Sequence, residues 1–327
     1  MASQVVARRA SSTCRTVEVR RKFRANRPRP SWEPRNRLGH RRSRLRRTRL
    51  AKAPARSVWA ARRARALSLT GEAPHAEEIL RCYSALTEVQ ERIAARVPVE
   101  RWLGLARRTE GEGPALRLEA LPIDQMLPLL DDFLDAMAGV GTPVMTAEAV
   151  RLRGVDVARR RALLGGTLSA RRPEDDGPAF HARAFLEAVA TTLAARVLPR
   201  TEPEGPSSGR CSTCGAPPVV ATLRDLPDAL GSRGLICGLC GTEQRIRRLT
   251  CAHCGETAAE MLHIHSVESV PHVRLDECQS CQRYIKTVDL RRRGDAIPVV
   301  DELATVEFDL WAKERGLVKV QMNVFGL

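Results

Sequence analysis

Eight of the ten cysteines in this 327-residue sequence fall between positions 211 and 281, and all eight stand in Cys-x-x-Cys pairs. The pairs are Cys211/Cys214, Cys237/Cys240, Cys251/Cys254 and Cys278/Cys281. Two intervening residues let the chain turn back so that both sulfurs reach one ion, and two such knuckles close a tetrahedral four-thiolate site. Glycine follows the second cysteine in the first three knuckles, at Gly215, Gly241 and Gly255. A glycine there permits a tight turn with positive φ and leaves backbone N–H groups free to point at sulfur. With no signal peptide in the sequence, paired vicinal cysteines favour metal over disulfides. Zinc and iron both accept four thiolates, and only iron would make such a site redox-active. A closed four-thiolate site has no open position for Lewis-acid catalysis, so a purely stapling role competes with any functional one.

Spacing argues for the pairing of the knuckles. Between Cys214 and Cys237 lie 22 residues, between Cys254 and Cys278 lie 23, and between Cys240 and Cys251 only 10. The near-equal longer gaps suit a hairpin between the two halves of one site. The first knuckle recurs 40 residues on and the second 41 residues on, the signature of a duplicated four-cysteine module. The expected sites are therefore Cys211, Cys214, Cys237 and Cys240, and Cys251, Cys254, Cys278 and Cys281, for two metal ions. An interleaved pairing is the alternative, as is a site of three cysteines plus His253. His263 and His265 alternate on one face of an expected strand and read as structural or surface residues. No Gly-x-Ser-x-Gly, P-loop, dinucleotide fingerprint or His-Glu-x-x-His is present, so the chain is read as a non-enzyme without a small-molecule substrate.

The elements that must position the cysteines fall into two regions. From 71 to 200 the pattern is helical. Ile79, Leu80, Tyr83, Leu86, Val89, Gln90 and Ile93 recur at spacings of three and four, making one amphipathic face that Pro98 ends or bends. Further helices are expected over 123–138, over 146–164 with Thr146 as cap and Gly165-Gly166 as stop, and over 179–197. Residues 107–114 and 171–178 read as loops, and 201–209 as a linker. Short β-rich pieces then alternate with the knuckles: 219–223, 234–237, 244–250, 261–265, 272–277 and 284–289. A helix-like stretch runs from Asp301 to Glu314. The fold class is α+β: an N-terminal helical domain, two tandem rubredoxin-like or zinc-ribbon-like modules at 210–250 and 251–327, and a C-terminal helix.

The formal net charge of +16 is unevenly distributed. Residues 1–70 hold 22 Lys and Arg against Glu18 and Glu33, leaving 32 basic and 36 acidic residues in the remainder. The Arg-rich stretch 1–70, with Cys14, reads as a disordered extension or as the product of a start assigned too far upstream. It could bind nucleic acid by phosphate neutralisation, but the acidic body and the lack of basic–aromatic interleaving argue against that partner. Arg20-Arg21-Lys22-Phe23 precedes no apolar run, and no stretch of 18 apolar residues exists, so neither export nor a membrane span is expected. The cytoplasm is the default compartment, and the pattern gives no oligomeric state. Cys82 reads as a small apolar residue on a helix.

The run from Cys211 to Asp289 resembles the FdhE family of formate dehydrogenase accessory (formation) proteins. The likeness rests on Cys-Ser-Thr-Cys-Gly-Ala-Pro-Pro-Val-Val at 211–220, Gly-Leu-Ile-Cys-Gly-Leu-Cys-Gly-Thr-Glu at 234–243 and Cys-Ala-His-Cys at 251–254. It continues in Glu-Cys-Gln-Ser-Cys-Gln-Arg-Tyr-Ile-Lys at 277–286, Asp-Glu-Leu-Ala-Thr at 301–305 and Asn-Val-Phe at 323–325. It covers about 60–327. Gln244, Glu302 and Val324 depart from the common family pattern of Trp, Asp and Pro, and none of them is an expected ligand. The resemblance implies a cytoplasmic protein needed to produce active molybdenum- or tungsten-containing formate dehydrogenase. It also implies binding of the catalytic subunit through the Cys-x-x-Cys region, and rubredoxin-type iron in preference to zinc. The runner-up functions are a nucleic-acid-binding zinc ribbon and a soluble electron carrier.

Overall fold

The computed structural model describes residues 24–26, 57–108, 113–169, 180–197 and 209–327. Seven helices precede the cysteine-rich half: α1 Val58–Leu69, α2 Glu77–Ala94, α3 Val99–Ala106, α4 Ile123–Met137, α5 Pro143–Gly154, α6 Val157–Ser169 and α7 Phe180–Ala194. The expected apolar stripe is realised on α2, where Leu80, Tyr83, Leu86, Val89, Gln90 and Ile93 are buried. That stripe packs on α1, α4 and α7. Pro98 caps α3 at the expected break. Trp102, Phe133 and Phe185 are fully buried, each contributing about 2–3 kcal/mol by area removed from water.

The expected helix over 146–164 is two helices. Thr142, not Thr146, caps α5 by accepting from Met145 N at 3.4 Å, with Pro143 as the first helical residue. Asp156 starts α6 by accepting from Arg159 N at 2.7 Å. Between the two, Arg160 Nη1 donates to the carbonyls of Arg153 at 2.9 Å and Val155 at 2.5 Å, groups left over at the end of α5. Gly165-Gly166 does not stop α6. At Gly165 a Cβ would stand 3.5 Å from Ile123 Cδ1, an ordinary van der Waals contact, and at Gly166 it would meet nothing within 4 Å, so helical backbone continues through both.

A larger correction concerns 1–70. Helix α1, capped by the Ser57 side chain accepting from Ala60 N at 3.0 Å, lies inside that stretch and packs along α2. Arg62 and Arg65 are buried. Arg62 Nη1 donates to Glu187 Oε1 at 2.7 Å. Arg65 grips Asp301 with Nε at 2.9 Å and Nη2 at 2.5 Å, and reaches Asp295 at 3.0 Å. A boundary at 70 therefore cuts through packed structure. Composition treats arginine as a solvent-seeking charge, whereas a guanidinium held bidentately by a carboxylate can be buried. A short strand, β1 Arg24–Asn26, also lies within the stretch. The remaining calls on the extension, Cys14 included, lie outside the described residues, as do 109–112, 171–178 and 201–208.

The second half forms a sheet from β1, β2 Pro218–Leu226, β3 Ala229–Cys237, β4 Glu243–Ile246, β5 Leu262–Ser266, β6 Val273–Cys278, β7 Arg283–Asp289 and β8 Val318–Lys319. The order is β1-β5-β6-β7-β2-β3-β4, with β8 on β7. The duplication appears as two antiparallel three-strand units, β2-β3-β4 and β5-β6-β7. The pair Ile236↔Glu243 in the first recurs 41 residues on as Glu277↔Tyr284 in the second. The units are not separate beads. Strand β7 pairs in parallel with β2, from Ala221↔Thr287 to Leu223↔Asp289, and makes one sheet of them.

The C-terminal helix begins later than expected. It is preceded by α8 Pro298–Asp301 and a 3₁₀ turn, and α9 spans Val306–Glu314. Lys286, fully buried on β7, explains the interruption. Its ammonium donates to the carbonyls of Glu302 at 2.6 Å and Thr305 at 3.2 Å, which a continuous helix would bind itself. Lys286 also pairs with Glu302 Oε1 at 2.9 Å and Asp309 Oδ2 at 2.5 Å. Lys319 joins both acids, and Tyr284 donates to Asp309 Oδ1 at 2.8 Å. Burial works against the Lys286 charge, but Asp309 and Glu302 hold its pKa above the ordinary value. Asn323 donates to Glu302 Oε2 at 3.0 Å and draws in the C-terminal turn, whose Phe325 stacks on Phe180.

Replacing Arg65 with Ala removes the guanidinium from the buried Asp301 carboxylate, which keeps only His272 Nε2 at 3.1 Å and the Ile297 N–H at 2.9 Å. We expect Arg65→Ala to cost about 3–5 kcal/mol in denaturant unfolding. Asp295, whose side chain is 69% exposed, should cost no more than about 1 kcal/mol on replacement by Ala. Equal costs for the two variants would show that α1 is not held by the buried pair.

Candidate metal centres

The eight cysteines converge as two groups, Cys211, Cys214, Cys237 and Cys240, and Cys251, Cys254, Cys278 and Cys281. Within each, the sulfurs all lie within 4.8 Å of one another. The shorter separations are 3.6 Å for Cys211–Cys240, 3.4 Å for Cys214–Cys237, and 3.7 Å for both Cys251–Cys281 and Cys254–Cys278. A disulfide would need about 2.05 Å. A regular tetrahedron with metal–sulfur bonds of about 2.3 Å has edges of about 3.8 Å. The groups therefore have the size of four-thiolate metal sites, and the interleaved pairing is not the one formed. His253 contributes a backbone N–H, donated to Cys251 Sγ at 3.3 Å, while all four cysteines of its group supply sulfur.

Each knuckle is a local consequence of its sequence. In the first three, the glycine takes positive φ, 79° at Gly215, 69° at Gly241 and 79° at Gly255. Its N–H donates to the carbonyl of the first cysteine at 2.7, 3.3 and 3.2 Å respectively. Leu239 N and Cys240 N then donate to Cys237 Sγ at 3.4 and 3.5 Å, spreading thiolate charge into the backbone. The fourth knuckle needs the same turn without glycine. Gln282 takes φ 54°, and it is the sole positive-φ residue other than glycine among the described residues.

The centres differ in their surroundings. Cys211, Cys237 and Cys240 belong to the same apolar cluster as the helices. The segment after α3 docks on the first knuckle, with Ala115 N donating to Ser212 O at 2.9 Å and Leu116 N to Thr213 O at 2.7 Å. The second centre stands further out: Cys254 is exposed and Cys281 half-buried. Four thiolates around a divalent ion leave a net charge of about −2. Arginines answer it, the half-buried Arg183 interacting with Cys237 and the buried Arg233 with Cys251, although desolvation lowers the pKa of both. In the first group, hydrogen bonds from neighbouring thiols, that of Cys214 foremost, hold the Cys211 thiol far below its ordinary pKa.

Several bracing residues carry no motif that would single them out. Gln244 accepts from Ser212 N at 2.9 Å and donates to Arg210 O at 2.8 Å, bracing the first knuckle without touching a sulfur. Glu256 accepts from Thr257 N, Ala258 N and Ser280 Oγ at 2.8, 2.9 and 2.6 Å, tying the third knuckle to the fourth. The polar type and the position just beyond a knuckle are the available signals, and they are weak ones. Cys82 stands apart, half-buried on α2, where burial raises its pKa.

Residues 249–325 match the family model described as FdhE, C-terminal domain. The protein FdhE homolog of Aquifex aeolicus (strain VF5) is 30% identical over 217 residues, covering 66% of this chain and 76% of that protein. The homolog of Stutzerimonas stutzeri (strain A1501) is 28% identical over 278 residues, covering 83% and 90%. The crystal structure of the FdhE protein from Pseudomonas aeruginosa superposes with a TM-score of 0.62 at 24% identity, covering 83% of this chain and 96% of that one, a likeness of fold.

Two outcomes follow from this geometry. A strong chelator should strip the second centre well before the first, because its sulfur is exposed, and metal analysis after timed chelation of Cys254→Ser and Cys211→Ser should assign the loss. Release of both ions at one rate would contradict the difference in shielding. Gln282→Gly should raise stability by roughly 1 kcal/mol by relieving the left-handed conformation, measured by denaturant unfolding of the metal-loaded chain.

Proposed function

The chain belongs to the FdhE family, and from that premise we propose that it is an accessory protein in the maturation of formate dehydrogenase. It acts in the cytoplasm and docks on the catalytic subunit through its metal-bound Cys-x-x-Cys region, with Cys211, Cys214, Cys237, Cys240, Cys251, Cys254, Cys278 and Cys281 as ligands to two ions. The observation that carries the reading is the pairing, on a single sheet, of a more deeply buried four-thiolate group with one that exposes Cys254. Closed sites suit recognition or electron exchange better than hydrolysis, because every coordination position is taken by the protein. The inner centre joins helices to sheet. The outer one presents Cys254 and the third knuckle as a surface.

Rubredoxin-type iron is the metal favoured by the family resemblance, and N–H groups directed at Cys237 and Cys251 suit a tuned redox couple. An exposed sulfur also fits electron transfer to or from the enzyme under assembly. The burial of Arg62 and Arg65 in ion pairs weakens the nucleic-acid alternative, since those charges are already spent within the protein. No helix among the described residues is long and apolar enough to cross a membrane.

In cells lacking this protein, formate dehydrogenase activity should fall to background, and the tagged chain should co-purify with the catalytic subunit. Cys254→Ser should lose co-purification while retaining the first centre. Normal activity without the protein would sink the proposal. Anaerobically purified protein should show sulfur-to-iron charge-transfer bands that bleach on reduction; a colourless chain holding zinc would overturn the choice of iron alone.

A further inference from the structure

We propose that His263, His265 and Glu277 form a third metal site, for a divalent cation of the zinc or ferrous class, on the sheet beside the outer four-cysteine centre. The site is independent of the accessory role.

Strands β5 and β6 pair antiparallel with His263 opposite Glu277, so these side chains leave the sheet on one face. His265, two residues along β5, points to the same side. One ligand atom from each of the three lies within 4.8 Å of the other two. His265 Nε2 and Glu277 Oε2 are 2.6 Å apart, a hydrogen bond that a cation would replace. Donor atoms on a tetrahedral ion with bonds of about 2.0 Å stand about 3.3 Å apart, so this pair must open by well under 1 Å. His263 is exposed, and its ring contacts the Glu260 carbonyl at 3.2 Å through Nε2 and the Gln279 amide at 3.4 Å through Nδ1. Binding exchanges one of these surface contacts for the ion.

The surroundings hold the inner two ligands in place. His265 and Glu277 are 7% and 8% exposed. The His265 ring lies against Trp311 with centroids 4.6 Å apart, and Arg315 stacks over Trp311 at 4.4 Å. Gln279, inside the fourth knuckle, donates to Glu277 Oε1, so the orientation of the carboxylate is linked to the neighbouring centre. Such outer partners set the ring and carboxylate positions of metal ligands. Two imidazoles and one carboxylate form a borderline donor set that leaves coordination positions open. The four-thiolate groups have none, so a metal here could take a water or an oxygen donor from another molecule.

Cobalt titration of the purified holoprotein, with its cysteine centres already filled, tests the site by native mass spectrometry and visible spectroscopy. The expected result is one additional equivalent of Co²⁺ per chain, with weak ligand-field bands and no new sulfur-to-cobalt charge transfer. The exposed-residue variant His263→Ala should weaken that equivalent by at least about 100-fold, the upper range for changes among outer partners of a ligand. Its resident metal content and circular dichroism should be unchanged. Glu277→Gln should weaken the same equivalent. Absence of the extra equivalent overturns the proposal, as does an equivalent with sulfur charge transfer or one that both variants retain.

Discussion

Four thiolate charges 3.4–3.7 Å apart repel one another by a few kcal/mol per pair at an effective dielectric constant of about 20. That repulsion, whose sign a cation held by the four sulfurs would reverse, is the constraint around which the cysteine-rich half is built. Each hairpin brings one knuckle of a pair to the other, through Pro218↔Cys237 in the first unit and Leu262↔Cys278 in the second. A unit of about 40 residues is too small to hold itself with an apolar core. An ion held by each four-cysteine group would contribute on the order of 10 kcal/mol and supply what that core lacks. The hydrophobic residues of the strands are thereby released for a different task, packing the sheet against α8 and α9 on one face, with Val220, Leu275, Val288 and Phe308 at its centre.

Charge also joins the two halves of the molecule. Arg62 binds into the helical layer through Glu187, while Arg65, one turn on along α1, binds Asp301 next to the sheet. Gln90 prepares the first of these contacts, donating to Ala184 O at 2.9 Å and Glu187 Oε2 at 3.3 Å. On the far side, Lys286 and Lys319 meet Glu302 and Asp309 in a buried group of two cations and two anions. Replacing such a group with well-packed apolar residues is often neutral or stabilising, so its contribution is to geometry, which admits few registers. It fixes β7, β8, α9 and the C-terminal turn relative to one another. The first four-cysteine centre belongs to the helical core, Cys211, Cys237 and Cys240 within it and Cys214 packed against it.

Much of this organisation was legible in the residues. Knuckle spacing alone separated the eight cysteines into the two groups that form, because ion coordination is a local rule with few solutions. The α2 stripe was legible for the same reason: a single face, a single period. What could not be read was long-range. No local pattern reports that β7 will pair with β2, or that Lys286 will reach carbonyls sixteen and nineteen residues away and divide the last helix. Arg62 and Arg65 were misassigned because their carboxylate partners lie 125 and 236 residues on. Gln282 was invisible for the opposite reason, since its left-handed turn follows from the needs of the knuckle, and glutamine has no preference for it. His263 and His265 read as surface or structural residues because their carboxylate partner comes from the next strand, and only the register of β5 on β6 brings Glu277 to them.

The parallel junction of β7 with β2 has an implication for self-association. Two copies of a unit related by a step sideways, rather than by a two-fold turn, do not close on themselves. The last strand of one copy meets the first strand of the next, so β4 and β5, at the two rims, carry the complementary halves of the contact already used once in the middle. Such a lattice is a one-dimensional polymer of two units, and something must terminate it. At the β5 rim the terminator is β1, which runs antiparallel, with Ala25 opposite His265, and so occupies the edge in the direction a further unit would not use. At the other rim β4 offers only four residues. A duplicated module thus becomes a finite molecule by end-capping, and the strand donated from the arginine-rich N-terminal stretch is the cap.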